Sequence, residues 1–119
     1  MKRILVPCDG SESALRAVRH AVAVAGPAAA ELQLIHVIEP MTPIALSEAF
    51  SAARLDERFP PQAAQALQPA IAILDQAGVG YTLHCRFGEP APEIAAQARE
   101  AACDAIVMGT RGRERWRIS

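Results

Sequence analysis

Apolar positions fall along this chain in two modes, short continuous or nearly continuous runs and stripes at helical spacing. The runs are Ile4-Leu5-Val6, Leu32 to Ile38 and Ala105 to Met108. Each reads as a parallel strand buried on both faces. Pro7, which lacks an N–H, closes the first run, Glu39-Pro40 the second and Gly109 the third. Between Tyr81 and Phe87 the pattern changes. Tyr81, Leu83 and Cys85 alternate with Thr82, His84 and Arg86, which is edge-strand patterning. The stripes predict three helices. In the first, from about Ser13 to Ala25, Ala14, Leu15, Val18, Ala21, Val22 and Ala25 share a face. Ser11 or Ser13 caps it and Gly26-Pro27 stops it. In the second, Pro61 to Ala77, Ala64, Leu67, Ile71, Leu74 and Ala77 share a face, and Pro69 should kink it or mark a late start. In the third, after Pro90 or Pro92, Ile94, Ala95, Ala98 and Ala102 point inward. Residues 41–60 show no clear period and read as an excursion over the top of the sheet, a lid or a surface loop.

The order β-α-β-α-β-α-β implies an α/β fold with an open parallel sheet and right-handed crossovers. The apolar runs belong at the centre and the alternating strand at an edge, which gives the order 3-2-1-4. Helices one and two then lie on one face and helix three on the other. The switch point falls between strands one and four. There ligands bind beyond the carboxyl ends of the strands, so Asp9 meets Gly109 to Gly112 across it.

Composition narrows the partners. The 119 residues carry a formal net charge of -1, so nothing marks nucleic acid or an anionic membrane as a main partner. No apolar stretch approaches the roughly 18 residues of a membrane span, and Met1-Lys2-Arg3 leads into too short a run for a signal peptide. Aromatic residues make up only 4%, so Val, Ile, Leu and Ala must fill the core. Cys8, Cys85 and Cys103 are odd in number and widely spaced, which fits a reducing, cytoplasmic setting better than a disulfide framework. No Cys/His cluster has metal-ligand spacing.

Candidate chemistry is sparse. Gly109-x-x-Gly112 after a buried strand permits positive φ and leaves N–H groups open to an anion. The pattern is weak alone and gains weight opposite the Asp9-Gly10-Ser11 turn. Arg111 can reach a phosphate or ribose, or be a solvated loop arginine. Asp9 can serve a ligand and the helix dipole at once. Cys8 reads as a small buried residue, with no neighbouring cation to activate it, and His36 as a satisfied core histidine. Trp116 among arginines can stack on a base or belong to a frayed tail. No catalytic arrangement is legible.

These pieces together resemble the universal stress protein family. The carriers are Ile4-Leu5-Val6-Pro7-Cys8-Asp9-Gly10-Ser11, Leu34-Ile35-His36-Val37, Phe87-Gly88-Glu89-Pro90 and Asp104 through Gly112. They lie in the family's order and span the chain from Lys2 to about Arg113. The resemblance implies a Rossmann-like domain of the adenine nucleotide α-hydrolase type over residues 1–113, followed by a tail, 114–119. It implies a cytoplasmic stress-response protein, often dimeric, that binds ATP or another adenine nucleotide, with or without Mg. It also implies site roles. Pro7 shapes the exit of strand one, Asp9 lies near ribose and phosphates, and the Val37 backbone meets adenine. Met108, Gly109, Arg111 and Gly112 line the ribose and phosphate path.

The family pattern continues past Gly112 to a Gly-Ser step that opens a last helix and is followed by a fifth strand. This chain reaches Ser119 without them, so phosphate binding is expected to be weak. Strand four is expected at an edge, with strands one and four partly uncovered. Self-association is therefore expected, either through this edge and face or through a tail folding back as a substitute strand. The leading reading is nucleotide binding without turnover. The alternatives are a protein-interaction module that binds no nucleotide and, last, a slow ATPase.

Overall fold

The computed structural model describes residues 2–25, 30–39, 59–110 and 113–117. The expected excursion over residues 41–60 therefore lies almost entirely outside the described residues, as do Arg111 and Gly112. The elements are β1 (Lys2–Pro7), α1 (Glu12–Ala25), β2 (Ala30–Ile38), α2 (Pro61–Ala77), β3 (Tyr81–Phe87), α3 (Pro90–Glu100), β4 (Ala105–Thr110) and β5 (Arg113–Arg117). Four parallel strands stand in the order β3-β2-β1-β4, as the alternation predicts.

Strand alternation sorts the core into two layers. Ile4, Val6, Leu32, Leu34 and Val107 pack with Ala17, Val18 and Ala21 of α1 and Leu67, Ala70 and Leu74 of α2. Leu5 and Ile35 point the other way, onto Ile94 and Ala98 of α3. Helices α1 and α2 thus share one face and α3 takes the other, as right-handed crossovers require.

Of the two routes expected at this edge, the tail folds back: residues Arg113–Arg117 form a strand, β5, antiparallel to β4, with Ala105 opposite Arg117 and Ile106 opposite Trp116. Other expectations are corrected. The segment read as a tail thus begins one residue earlier and is paired, and β5, not β4, is the edge. The physical reason is that β4's outer N–H and C=O groups need partners, and the returning chain supplies them. Strand β1 is not uncovered, since Leu5 is 0% exposed. Ile106 and Met108 of β4, on the α3 side, are only half-buried.

Helix α2 runs unbroken through Pro69 and buries Ala63, Leu67, Ala70 and Leu74, a face slightly rotated from the expected one. Ala102 lies beyond the end of α3, exposed and at φ 54, so it does not point inward.

Candidate functional site

At the carboxyl end of β1 the chain turns sharply into α1. Gly10 adopts φ 85, which favours glycine. Ser11 caps the helix, its Oγ accepting from Ala14 N–H at 3.2 Å. Asp9 Oδ1 accepts from Ser11 N–H at 2.9 Å. Hydrogen bonding by the Ser11 side chain is the largest influence holding the Asp9 carboxyl below its ordinary range, and the imidazole of His36 acts the same way. The carboxylate is therefore ionised and aimed by its bond to Ser11, just ahead of the helix.

Gly109 approaches from β4. Its φ is not among the positive values, so the left-handed backbone expected there is absent. The reason for glycine is a close approach. A Cβ at this position would fall on the Ser13 main chain and hydroxyl. Gly109 is thus the contact that lets the start of α1 lie directly on β4.

Between these elements lies a cavity of about 360 Å³, within the range of small-molecule sites. Its two walls differ. Ile35, Val37, Ile94 and Met108, with Pro90, make an apolar wall continuous with the α3-side core. Asp9, Ser11, His36, Glu39 and Gln62 supply the polar groups. The described lining contains two acids and no lysine or arginine.

Of the residues singled out in the sequence, Pro7, Asp9, Val37, Met108 and Gly109 all line this cavity. Arg111 and Gly112 fall outside the described residues. Ser11, His36, Glu39, Gln62, Pro90 and Ile94 line it without having been singled out for the site. Glu39 and Pro90 follow strand ends, so the carboxyl-end rule already pointed near them. Gln62 arrives through the packing of α2 and leaves no local signal.

His36 Nδ1 lies 2.8 Å from the Cys8 carbonyl oxygen, and its Nε2 is buried with no partner among the described residues. The ring is therefore only half satisfied, unlike the core histidine expected. Cys8 is buried and free. Burial first, then the Asp9 charge, pushes its thiol up to about 12, so it is a protonated packing residue at neutral pH. Among the described residues no group of three or more His, Cys, Asp or Glu could hold a metal ion. No described helix is long and apolar enough to cross a membrane.

Fold and cavity together define an α/β domain of the open-sheet class with a small-molecule-sized cavity at its switch point. Residues 1–117 match the universal stress protein family, and the chain belongs to that family. It is 31% identical over 112 residues to universal stress protein MJ0531 of Methanocaldococcus jannaschii, spanning 94% of this chain and 66% of that protein's length. A universal stress protein family structure from Burkholderia pseudomallei is 28% identical, with a TM-score of 0.69 over 92% of this chain and 81% of that one. A family structure from Arabidopsis thaliana with AMP bound shares the fold at 17% identity, with a TM-score of 0.68 over 94% of this chain and 78% of that one.

Proposed function

We propose that this chain binds an adenine nucleotide in the switch-point cavity, without turnover, as part of a cytoplasmic stress response. One observation carries the reading. A single cavity sets an apolar wall of Ile35, Val37, Ile94 and Met108 beside a polar group that includes the ionised Asp9. The apolar wall suits a heteroaromatic base, and the carboxylate suits ribose hydroxyls, which donate to it. AMP bound by the Arabidopsis family member supports the same ligand class.

The carboxylates of Asp9 and Glu39 in the lining oppose a polyphosphate charge and so support weak selection for a triphosphate. Each charge-assisted phosphate bond contributes about 1.5–3 kcal/mol, so the expected preference for ATP over AMP is small. Three free cysteines agree with a reducing compartment. We add self-association to the proposal, because the half-buried Ile106 and Met108 leave apolar surface beside α3.

Calorimetric titration of the full chain with AMP and ATP, each with and without Mg, tests the central reading. Weak binding of both nucleotides within about tenfold of each other is expected. No heat with either, or ATP preferred by a thousandfold, would overturn it.

A further inference from the structure

The junction of β1 and β2 contains one irregular rung. Cys8 N–H donates to the Ile35 carbonyl at 2.8 Å, continuing the parallel ladder one step past Pro7. In a regular parallel pair the next rung would run from Val37 N–H to the Cys8 carbonyl. Among the described residues that bond is not formed. The Cys8 carbonyl instead accepts from the His36 side chain, with Nδ1 at 2.8 Å.

A carbonyl only accepts, so Nδ1 carries a proton and donates it to Cys8. Nε2 has no partner among the described residues and the residue is 9% exposed. Among those residues the ring's polar tie is to Cys8. A half-satisfied histidine at a buried strand position is costly to keep for packing alone. Val37, the residue whose N–H the ladder leaves out, lines the cavity.

We propose that His36 is a positioning residue for the candidate site. By occupying the Cys8 carbonyl it ends the β1–β2 ladder one rung early and keeps the Val37 main chain open to a ligand. An N–H and a C=O on one residue, facing out from a strand end, match a heteroaromatic edge that carries an acceptor beside a donor. The ligand in this inference rests on the nucleotide reading, whereas the ladder geometry does not.

Amide hydrogen exchange by NMR on the full chain tests it, first without nucleotide and then through an AMP titration. The proteins compared are wild type, His36→Asn and His36→Leu. Asparagine places an N–H where Nδ1 stands, and leucine places none. Without nucleotide, the Val37 amide should exchange rapidly in wild type and His36→Asn. It should slow by about tenfold or more in His36→Leu, where the released Cys8 carbonyl takes it. AMP should bind His36→Asn within about threefold of wild type and His36→Leu about tenfold more weakly, the scale of one hydrogen bond.

A Val37 amide already protected in wild type would overturn the proposal, as would His36→Asn binding AMP as poorly as His36→Leu. If the exchange pattern appears but AMP does not bind wild type, the nucleotide reading falls and the positioning role stands. If AMP binds all three proteins alike, the nucleotide reading stands and the positioning role falls. Should His36→Leu fail to fold, His36→Gln replaces it, since its amide reaches the Nε2 position and not Nδ1.

Discussion

The two faces of the sheet are built on opposite plans. Under α1 and α2, twelve buried residues among those described form one apolar cluster. Under α3 the buried cluster has five, and beside it runs a polar lane. Arg3 Nε pairs with Glu31 at 3.2 Å, and Glu31 accepts from Gln33 Nε2 at 3.0 Å. Gln33 Oε1 meets His84 Nε2 at 3.0 Å, and His84 Nδ1 meets Gln97 Nε2 at 3.3 Å. Arg86 then ties Glu93 at 2.7 Å and Gln97 at 3.0 Å. Apolar packing is strong and indifferent to pH, whereas exposed ion pairs are individually weak and sensitive to pH and salt. The α1–α2 face thus supplies stability. The α3 face, which also brings Pro90 and Ile94 to the cavity, is the adjustable side.

The largest effect that would break this contrast is in the first face. Leu67→Ala, at a position 0% exposed, should cost about 2–5 kcal/mol, measured by urea unfolding. Ile94→Ala should cost less, because Ile94 is 6% exposed in a smaller cluster. Equal losses would remove the distinction.

Gly109→Ala should come next, at about 1–3 kcal/mol, because the new methyl meets the Ser13 backbone and forces α1 away from β4. It should also weaken AMP binding, since both elements line the cavity. A neutral Gly109→Ala would mean that the two elements separate freely.

Asp9→Asn should change stability by no more than about 1 kcal/mol, the scale of a helix-terminus charge, while weakening AMP measurably in the same titration. A large stability loss with unchanged binding would make Asp9 structural.

The smallest effect concerns the polar lane. Burial first, then the Arg86 charge, lowers the His84 pKa from 6.5. The folded protein thus prefers the neutral ring, and the unfolded chain takes up a proton more readily. This contribution is fully present above pH 6.5 and is lost as the pH falls below it. Urea midpoints at pH 7.5 and pH 5.5 should show a slightly larger drop for wild type than for His84→Gln. An identical drop would show that the lane does not sense protonation.

Much of this arrangement was legible in the sequence. The runs at β1 and β4 are apolar throughout and that at β2 nearly so, which marks central parallel strands. The alternation of β3 marked its edge. The face of α2 was harder to read, because Ala63, Ala64, Ala66 and Ala70 offer almost no contrast between buried and exposed positions. For the site, Asp9 and Gly109 were readable as strand-end residues. The reason for Gly109 was not, since contact with Ser13 crosses most of the chain. His36 looked like core because its bond to Cys8 depends on where β1 ends beside β2. β5 was expected only as one of two routes, because Arg113 to Arg117 carries no clear apolar period and its pairing is dictated by the edge it meets.

The pairing of β1 with β4 has a kinetic consequence. Arg3 N–H reaches the Asp104 carboxylate at 2.8 Å across a separation of 101 residues. Closing a loop of that length costs about 4 kcal/mol of chain entropy before any contact repays it, and such distant pairings form slowly. β1, β2 and β3, with α1 and α2, can assemble earlier, through shorter loops. The cavity exists only once β4 docks, so it should be among the last features of the molecule to form. A ligand added during refolding can then hold chains that have completed that closure, but it has no surface on which to hasten the steps before it.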